Sequence, residues 1–423
     1  MGIDANLKAT GVADVIVILE PDAAIPAAAL GSEVPAAIAQ HFKASPYSQD
    51  AALLETLQAR TFVRRLDSED LAVSEAYGLA RQAPVGSRYY PNLGVALGSV
   101  DRPALAALRR EPAVQKVVMA PQLRLIRPVA TAATAAMPGY TWGLRALGID
   151  GLHDQGLTGR GVRIGHLDTG IDASHPALAD VLHDYAEFDL LGNRAVGASP
   201  RDSAEHGTHT AGTLAAQPID GIRFGVAPGA RLVSAMVIEH GNVLARILGG
   251  MNWMVGQNVR VLSMSLGLVG VEDTFLAISQ ILRARGVLPV FAVGNDGPGR
   301  SRYPGNYAEA LSVGAADSNS QVPDFSSSQL FKRAQDAIVP DLVGPGVDVV
   351  SCVPGGGYKQ MSGTSMATPH IAGLAALLME AKPDASIDAI EAAIFGSCAL
   401  PPDMLASRAN RGFPNAAKAL SLL

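Results

Sequence analysis

VRIGHLD, at residues 162–168, is a short apolar run that ends in a carboxylate. Three later runs share its length and its content of apolar and β-branched residues: ARLVSAMVI (230–238), VRVLSMSL (259–266) and VLPVFAVG (287–294). Helix-length segments separate the four runs, and this alternation predicts an α/β fold with a mainly parallel, doubly wound sheet that helices cover on both faces. Ligands gather at the carboxyl ends of strands in such sheets. Asp168 and Asn295 stand at strand ends and are therefore predicted to lie at a functional site.

The composition fits a large buried core. The chain has 423 residues, enough for two domains, and 48% of them are apolar. Its formal charge of -6 is spread without long runs of one sign, so we expect no nucleic-acid partner. The sequence contains no apolar stretch of about 18 residues, and we expect no membrane span. The N-terminal MGIDANLKATGVADVIVILEPD is not the pattern of a signal peptide.

A change of composition at RPVATAATAAMPG (127–139) predicts a linker, because small residues and prolines replace the apolar periodicity. We place a domain boundary there, with one domain at 1–136 and another at 137–423. Three strands and one helix are predicted before the linker: VADVIVIL (12–19), LGVALGSV (93–100) and VQKVVMAPQLRLI (114–126) as strands, and RPALAALRREP (102–112) as the helix. This mixture predicts a small α/β sandwich, in which the Ala-rich stretch 22–60 is mostly helical.

The Asp-Thr-Gly at 168–170 is compatible with two unrelated kinds of protease chemistry. An aspartic protease needs two carboxylates that share one proton, and therefore a second Asp-Thr-Gly or Asp-Ser-Gly. The sequence contains no second copy. In the other interpretation, Asp168 orients a histidine that activates a nucleophile. HGTHTAGT (206–213) and GTSMATPHIAG (363–373) supply the histidine and a serine in the order Asp, His, Ser, which is the order found in subtilisin.

The segments HLDTGID, HGTHTAGT, SMSLG, AVGNDG and GTSMATPHIAG, in this order, resemble the subtilisin-like serine proteases. The resemblance covers about residues 140 to 423 and implies a serine endopeptidase that acts on protein or peptide substrates. The hydroxyl of Ser365 is a poor nucleophile and needs a base, for which the pKa range of His206 is suited. Asp168 would hold the tautomer of that histidine. Asn295 matches the side-chain donor to the oxyanion in the family, and the Ser365 amide would be the second donor.

The segment that follows Ser365 is predicted to be a helix, because its apolar residues recur at helical spacing. A helix N-terminus beneath the serine would favour the negative charge that develops there. Pro369 is acceptable in the first turn of such a helix, and Pro383 ends it.

The resemblance also implies substrate-binding residues. Ser265, Leu266 and Gly267 of SMSLG would pair with the substrate as an added strand, and Gly294 lies next to the oxyanion donor. Arg302, in GRSRYPG, aligns with the base of the pocket for the side chain before the scissile bond. A guanidinium there predicts a preference for Glu or Asp, unless Asp296 neutralises it. The Tyr303–Pro304 bond is predicted to be cis.

We expect no metal or cofactor in the chemistry. His206 and His209, at i and i+3, would need a third ligand that the sequence does not offer, and His209 is predicted to be a packed structural residue. The resemblance allows a structural calcium, but the corresponding loop, QPIDGIRF (217–224), has Asp220 as its only carboxylate. Cys352 and Cys398 are predicted to be reduced thiols.

The N-terminal domain fits the place of a prodomain, which in this family assists folding and inhibits the enzyme by laying its tail in the cleft. We therefore expect a zymogen that cuts itself between Val129 and Trp142. An independent binding domain is the alternative for this region. For the whole chain, the alternatives are a dedicated cytosolic peptide-processing protease and an inactive binding scaffold. We expect the protein in the cytoplasm.

Overall fold

The computed structural model describes residues 3–20, 34–43, 87–121, 123–134, 138–189, 192–239, 243–333 and 336–423. Its strands are β1 Ala13–Leu19, β2 Arg88–Tyr90, β3 Val95–Val100, β4 Val114–Met119, β5 Arg124–Leu125, β6 Ala130–Ala133, β7 Gly139–Tyr140, β8 Arg163–Asp168, β9 Leu182–Glu187, β10 Ile222–Arg223, β11 Arg231–Met236, β12 Val261–Met264, β13 Leu266–Val269, β14 Leu288–Ala292, β15 Arg302–Tyr303, β16 Leu311–Ala316, β17 Gln329–Leu330, β18 Ile338–Val339, β19 Leu342–Pro345, β20 Val349–Val353 and β21 Gly357–Ser362.

The helices are α1 Ile3–Thr10, α2 Ala36–Ala39, α3 Arg102–Leu108, α4 Trp142–Leu147, α5 Ile149–Asp154, α6 His206–Ala215, α7 Val243–Gly256, α8 Leu276–Ala284, α9 Thr364–Ala381, α10 Ile387–Ser397, α11 Ala406–Ala409 and α12 Ala416–Ser421. A 3₁₀ turn lies at Pro176–Leu178. None of the helices in the described ranges combines the length and the apolar composition that a membrane crossing requires.

Seven of the described strands form one sheet in the order β19-β16-β14-β12-β8-β11-β9, and each neighbouring pair is parallel. The chain enters the sheet at β8 and fills it in both directions from there. Asp168 ends β8 and therefore lies where the strand order reverses, the place at which open α/β sheets form ligand crevices. The prediction of a doubly wound, parallel α/β fold is confirmed.

α9 is the central helix of this part of the molecule. Every residue from Thr364 to Met379 is buried, and the helix packs against β12, β14, β16 and β19. A helix that is apolar on all sides is stable only when it is surrounded, which the run of Ala, Leu and Ile here provides. Pro369 lies in the second turn of α9, whereas the sequence predicted that it lies in the first turn.

The chain forms two compact units. The first comprises Met1–Gln122, Phe188–Val196 and Glu239–Gly256, and the second comprises Leu123–Glu187, Gly197–Ile238 and Gln257–Leu423. The boundary placed at residue 136 from composition remains a prediction.

The first unit contains an antiparallel sheet in the order β2-β3-β1-β4. Its core is formed by alternate residues of β1 together with the apolar side of α3, among them Val15, Val17, Leu105 and Leu108. α3 begins at the predicted place, because Asp101 caps it by accepting from the Ala104 amide at 2.9 Å. The predicted strands at 12–19 and 93–100 are present. Most of the stretch 22–60, predicted as helical, lies outside the described residues.

The predicted strand at 114–126 was wrong in one respect, since it is two strands in two different sheets. β4 ends at Met119, and Pro121 interrupts the run before β5 begins at Arg124. β5 pairs with β13, and β6, which lies in the predicted linker, pairs antiparallel with β21. The Tyr303–Pro304 bond is cis, as predicted, and Val339–Pro340 is a second cis bond that was not predicted.

Candidate active site

Asp168 and His206 form a buried pair at the carboxyl end of β8. Nδ1 of His206 lies 2.7 Å from Oδ1 of Asp168, and the two residues are only 1% and 4% exposed. Oδ1 also accepts from the Thr169 amide at 2.7 Å. Burial opposes the charge of Asp168, but the charge and hydrogen bond of His206 and the Thr169 amide hold the pKa of its carboxyl below the ordinary value. The pair is therefore built to keep a carboxylate on Nδ1 of the imidazole.

Asp202 fixes the end of β8 against the start of α6. Its Oδ1 accepts from the Thr169 hydroxyl at 2.7 Å, and its Oδ2 accepts from the amide and the hydroxyl of Thr208, both at 2.7 Å. Gly207 allows the close approach, because a Cβ there would lie 2.1 Å from the Gly170 carbonyl oxygen. Asp202 was missed from the sequence. The one hint in the sequence is that Asp202 is an acidic residue four positions before the start of α6, and a carboxylate near a helix N-terminus is favourable.

Ser365 is fully buried in the first turn of α9, and its hydroxyl is not hydrogen-bonded to His206. It donates to the carbonyl oxygen of Ile126 at 2.5 Å. Within the described part of the chain, Nε2 of His206 has no hydrogen-bond partner. Asp168 and His206 are thus hydrogen-bonded to each other, whereas the Ser365 hydroxyl is hydrogen-bonded to the segment that contains β5.

The carbonyl oxygen of Ser365 shows how Pro369 is tolerated inside α9. Proline has no N–H, so the oxygen four residues earlier loses its intrahelical donor. The hydroxyl of Ser265 points at that oxygen from a distance of 3.4 Å. Ser265 therefore links the substrate-edge segment to the backbone of the predicted nucleophile.

Asn295 is held so that its amide nitrogen points into the cleft. Its Oδ1 accepts from both the amide and the hydroxyl of Thr364, at 2.9 Å each, which fixes the amide orientation. Its Nδ2 donates to the carbonyl oxygen of Arg127 at 2.9 Å. Gly294, directly before it, has φ +119, a conformation that favours glycine, and a Cβ there would meet Arg302 and Asp296 at 3.0 Å.

Residues 124–133, here called the cleft segment, pass along this site, with β5 at one end, β6 at the other and a bend at Val129 between them. Arg124 and Leu125 pair antiparallel with Gly267 and Leu266, and the Ile126 amide donates to the Ser265 carbonyl oxygen at 3.0 Å. Further along, the Val129 amide donates to Ser362 O at 2.8 Å before β6 joins β21. The edge formed by Ser265, Leu266 and Gly267 thus accepts an extended peptide, which is the arrangement predicted for substrate.

Arg302 does not present a free guanidinium. Its Nε and Nη2 donate to the two carboxylate oxygens of Asp296 at 2.6 and 2.8 Å, and Nη1 lies 3.4 Å from Gly267 O. The two side chains of this ion pair are 19% and 16% exposed. A bidentate pair of this kind neutralises much of the charge on which the predicted acidic preference depends.

The other histidines and the cysteines have structural environments. Nε2 of His209 lies 3.0 Å from Val349 O and 3.2 Å from Lys359 O, and burial lowers the pKa of this histidine to about 3. Cys352 and Cys398 are free thiols. In the described ranges, no group of three His, Cys, Asp or Glu side chains is arranged to hold a metal ion.

The chain is similar to known proteins. The family model described as the Subtilase family matches residues 159–414, more than half of the chain. M-protease from Shouchella clausii (strain KSM-K16) is 36% identical over 272 residues, which cover 64% of this chain and 67% of that protein. Subtilisin Savinase from Lederbergia lenta is 38% identical over 244 residues, or 57% of this chain and 85% of that protein.

Subtilisin E from Bacillus subtilis (strain 168) is 31% identical over 308 residues, which cover 70% of this chain and 73% of that protein. The family match and these relatives agree with the parallel sheet and the cleft described above. The chain therefore belongs to the subtilase family and is a serine endopeptidase.

Proposed function

We propose that Ser365 is the nucleophile of this endopeptidase, His206 its general base, Asp168 the residue that orients the base, and Asn295 the side-chain donor to the oxyanion. The observation that carries the assignment is the cleft segment, a peptide whose consecutive carbonyl oxygens lie on the Ser365 hydroxyl and on the Asn295 amide. The buried Asp168–His206 pair supports it, because Nε2 of that imidazole is left available as an acceptor.

The reaction follows from these positions. Nε2 of His206 takes the proton of the Ser365 hydroxyl as Oγ attacks the carbonyl carbon, and Asp168 stabilises the imidazolium that forms. Nδ2 of Asn295 and the Ser365 amide donate to the new oxyanion. The imidazolium then protonates the leaving amine, the C–N bond breaks, and an acyl-enzyme remains. Water, deprotonated by His206, attacks the acyl carbon. The bond between that carbon and Oγ then breaks as the imidazolium returns its proton to Oγ, which releases the acid and regenerates Ser365.

Labelling with a fluorophosphonate probe separates this function from an inactive binding scaffold. We expect the probe to attach to Ser365, identified by mass spectrometry of the labelled peptide, and casein hydrolysis to be lost in proportion to labelling. An unlabelled protein that also leaves casein intact, although it is folded and its cleft segment has been removed, would favour the scaffold.

We also propose that the protein is made as a zymogen and that the cleft segment is its intramolecular inhibitor. Acyl transfer requires that one carbonyl receives both the attack of Oγ and the donors of the oxyanion site. Here the two groups address different carbonyls, those of Ile126 and Arg127. The peptide bond after Arg127 also leads into Pro128, whose nitrogen carries no hydrogen. These contacts support the proposal that the segment blocks the cleft and that none of its peptide bonds is in position to be cut.

The predicted cut between Val129 and Trp142 lies downstream of the two carbonyls at the site. Self-cleavage there requires that the chain first slides along the edge formed by Ser265, Leu266 and Gly267. Both the self-cleavage and its position remain predictions.

Replacing Ile126 with aspartate is expected to loosen the inhibitor. Ile126 is 1% exposed, and the substitution loses at least the burial of this side chain, about 2 kcal/mol, which corresponds to about 30-fold in occupancy of the cleft. Intact Ile126→Asp protein should therefore react with the fluorophosphonate probe about 30-fold faster than intact wild type. Arg124→Ala, at an exposed position of the same segment, is the matched control. Equal labelling rates for Ile126→Asp and wild type would show that the segment does not inhibit.

For cleavage specificity, we propose that the Arg302–Asp296 pair lines the pocket for the side chain before the scissile bond. Arg302 reaches Gly267 O, and Gly267 pairs with the cleft segment, which supports this position. While Arg302 is paired with Asp296, its guanidinium gives only a weak preference for Glu before the scissile bond. Without the Asp296 carboxylate, the same guanidinium gives a strong preference for Glu.

Asp296→Asn is accordingly expected to raise the Glu-to-Leu ratio of kcat/KM about tenfold, equivalent to about 1.4 kcal/mol. Arg302→Gln should instead raise the Lys-to-Leu ratio, because it leaves the Asp296 carboxylate without its partner. Matched peptides with Glu, Leu or Lys before the scissile bond supply the measurement in the three proteins. If neither ratio moves by more than about twofold, the pair is not a determinant of specificity.

We further propose a cytoplasmic location. The two free cysteines support it, because secreted proteins more often form disulfides. Fractionation of cells that express the full chain tests this assignment. Profiling against a peptide library separates broad cleavage from the dedicated processing of one peptide.

A further inference from the structure

His166 is a buried histidine that the reaction described above does not use. It lies in β8 two residues before Asp168 and is 1% exposed. Its Nδ1 lies 2.9 Å from the hydroxyl of Ser234 on the neighbouring strand β11, and its Nε2 lies 2.9 Å from the hydroxyl of Thr210 on α6. Nε2 is also 3.9 Å from Oδ2 of Asp168. The imidazole is thus behind the Asp168 carboxylate, on the side away from His206.

Thr210 connects the two residues. Its Oγ1 lies 3.2 Å from Asp168 Oδ2, and 3.1 Å from the carbonyl oxygens of both His206 and Gly207. A hydroxyl has one proton, so Thr210 can donate fully to only one of these acceptors. Which acceptor receives that proton depends on whether His166 donates to Thr210 or accepts from it.

Satisfaction of the buried carboxylate selects one arrangement. Oδ1 of Asp168 already has two donors, His206 and the Thr169 amide, whereas Thr210 is the donor found on Oδ2 among the described residues. If Thr210 donated to His166, Oδ2 would lose that donor, and an unsatisfied buried carboxylate oxygen is costly. With the proton of the imidazole on Nε2, Ser234 donates to His166, His166 donates to Thr210, and Thr210 donates to Asp168.

We propose that His166 is a positioning residue for the peptidase reaction: through Thr210 it directs a hydrogen bond to Oδ2 of Asp168 and so holds the carboxylate with Oδ1 towards His206. The proposal rests on the assignment of Asp168 and His206 made above. Hydrogen bonds in such a chain polarise one another, so the donor on Oδ2 is stronger than an isolated hydroxyl.

The electrostatic surroundings agree with a neutral imidazole. Burial lowers the pKa of His166, against the opposing charges of Asp168 and Asp202. The titratable groups that act on this imidazole are Asp168 on β8, His206 on α6, and Asp202 on the segment before α6. A lowered pKa favours the neutral imidazole, which acts by donating a hydrogen bond and not by adding a positive charge.

Loss of this donor has a defined effect on pH dependence. An Asp168 carboxylate with fewer donors binds a proton more tightly and also stabilises the His206 imidazolium more strongly. The acidic limb of kcat/KM therefore moves up in pH. The fall in kcat has a separate cause: without the donor on Oδ2, the carboxylate is no longer held with Oδ1 towards His206, whereas KM changes little because no substrate contact is altered.

Three substitutions at His166 separate positioning from packing. In His166→Gln the amide nitrogen is as many bonds from Cβ as Nε2, so it can still donate to Thr210. In His166→Asn the amide reaches only the Ser234 side, and His166→Leu has no donor. We expect His166→Leu and His166→Asn to lower kcat about tenfold, the size of one buried hydrogen bond, with KM within about twofold. Their acidic limb should rise by about half a pH unit, whereas His166→Gln should stay within about threefold of wild-type kcat.

Thr210→Val and Thr210→Ser form a second matched pair, which carries the test if the His166 variants do not fold. Thr210→Val should reproduce the shifted limb, Thr210→Ser should not, and the double variant His166→Leu/Thr210→Val should be no worse than Thr210→Val alone. All rates are normalised to the fraction of Ser365 that reacts with the fluorophosphonate probe.

An unshifted limb and wild-type kcat in folded His166→Leu or Thr210→Val would overturn the proposal. So would His166→Gln matching His166→Leu. Such a result in a protein whose activity still requires Ser365 would leave the triad standing, whereas an active Ser365→Ala variant would remove the triad itself.

Discussion

Ser365→Ala is expected to lower kcat for peptide hydrolysis by about a millionfold, the effect that loss of the nucleophile has in subtilisin. The substitution removes a single oxygen atom at the start of α9, a helix that is buried from Thr364 to Met379, and it creates no steric clash. The fold and the cleft segment should therefore be retained. The residual rate would come from Asn295 and from substrate binding, since neither needs the hydroxyl.

The measurement is twofold: hydrolysis of a chromogenic peptide, and the intact mass of the protein purified from a protease-deficient host. The variant should remain full length, whereas processed wild type should be shorter. Ser421→Ala, at an exposed position of α12, is the matched control and should behave as wild type. Processing of Ser365→Ala to the same extent as wild type would exclude self-cleavage, and retained hydrolysis would exclude Ser365 as the nucleophile.

Asp168→Asn is expected to lower kcat by about ten-thousandfold, although the side chain keeps its size. The carboxylate Oδ1 accepts from Nδ1 of His206, which places the proton of the neutral imidazole on Nδ1 and leaves Nε2 as acceptor. An asparagine amide that donates to Nδ1 places the proton on Nε2 instead. Nε2 of His206 then faces Ser365 as a hydrogen-bond donor and cannot accept the proton of the Ser365 hydroxyl.

The rate of this variant is measured with the same peptide over a range of pH, with Asp180→Asn at an exposed position as control. Thermal unfolding of both proteins shows whether the fold is intact. A loss of less than about tenfold in a folded Asp168→Asn protein would mean that the pair with His206 is structural.

The parallel sheet could be predicted because its strands are local signals. Each apolar run, such as the one that ends at Asp168, predicts a buried strand without reference to the rest of the chain. The helix-length segments between the runs indicate that the strands are connected in parallel. The predicted site residues Asp168 and Asn295 were identified in part by the same logic, since they follow such strands. Because the strands are parallel, both residues lie at the same edge of the sheet, and this inference needed no long-range information.

The parts that could not be predicted depend on contacts between distant segments. VQKVVMAPQLRLI is one apolar run in the sequence, and nothing local shows that β4 and β5 join different sheets. For Asp296, the sequence indicated only that this residue could neutralise Arg302, and the bidentate geometry of the pair could not be predicted. The arrangement of Ser234, His166 and Thr210 could not be foreseen, because β11, β8 and α6 each contribute one side chain and none of the three has a sequence motif of its own.

The pairing of the cleft segment on both sides of Ser365 has a consequence for which proteins can be digested. From Arg124 to Ala133 the chain is bound mainly through its backbone, to β13 at one end and to β21 at the other. A substrate bound in the same way must offer about ten consecutive residues of unfolded chain, the length of the cleft segment. Few folded proteins expose such a length, so the rate at which a native protein is cut is set by the free energy of its own local unfolding. The susceptibility of a target is then a property of its least stable segment more than of the residue before the scissile bond.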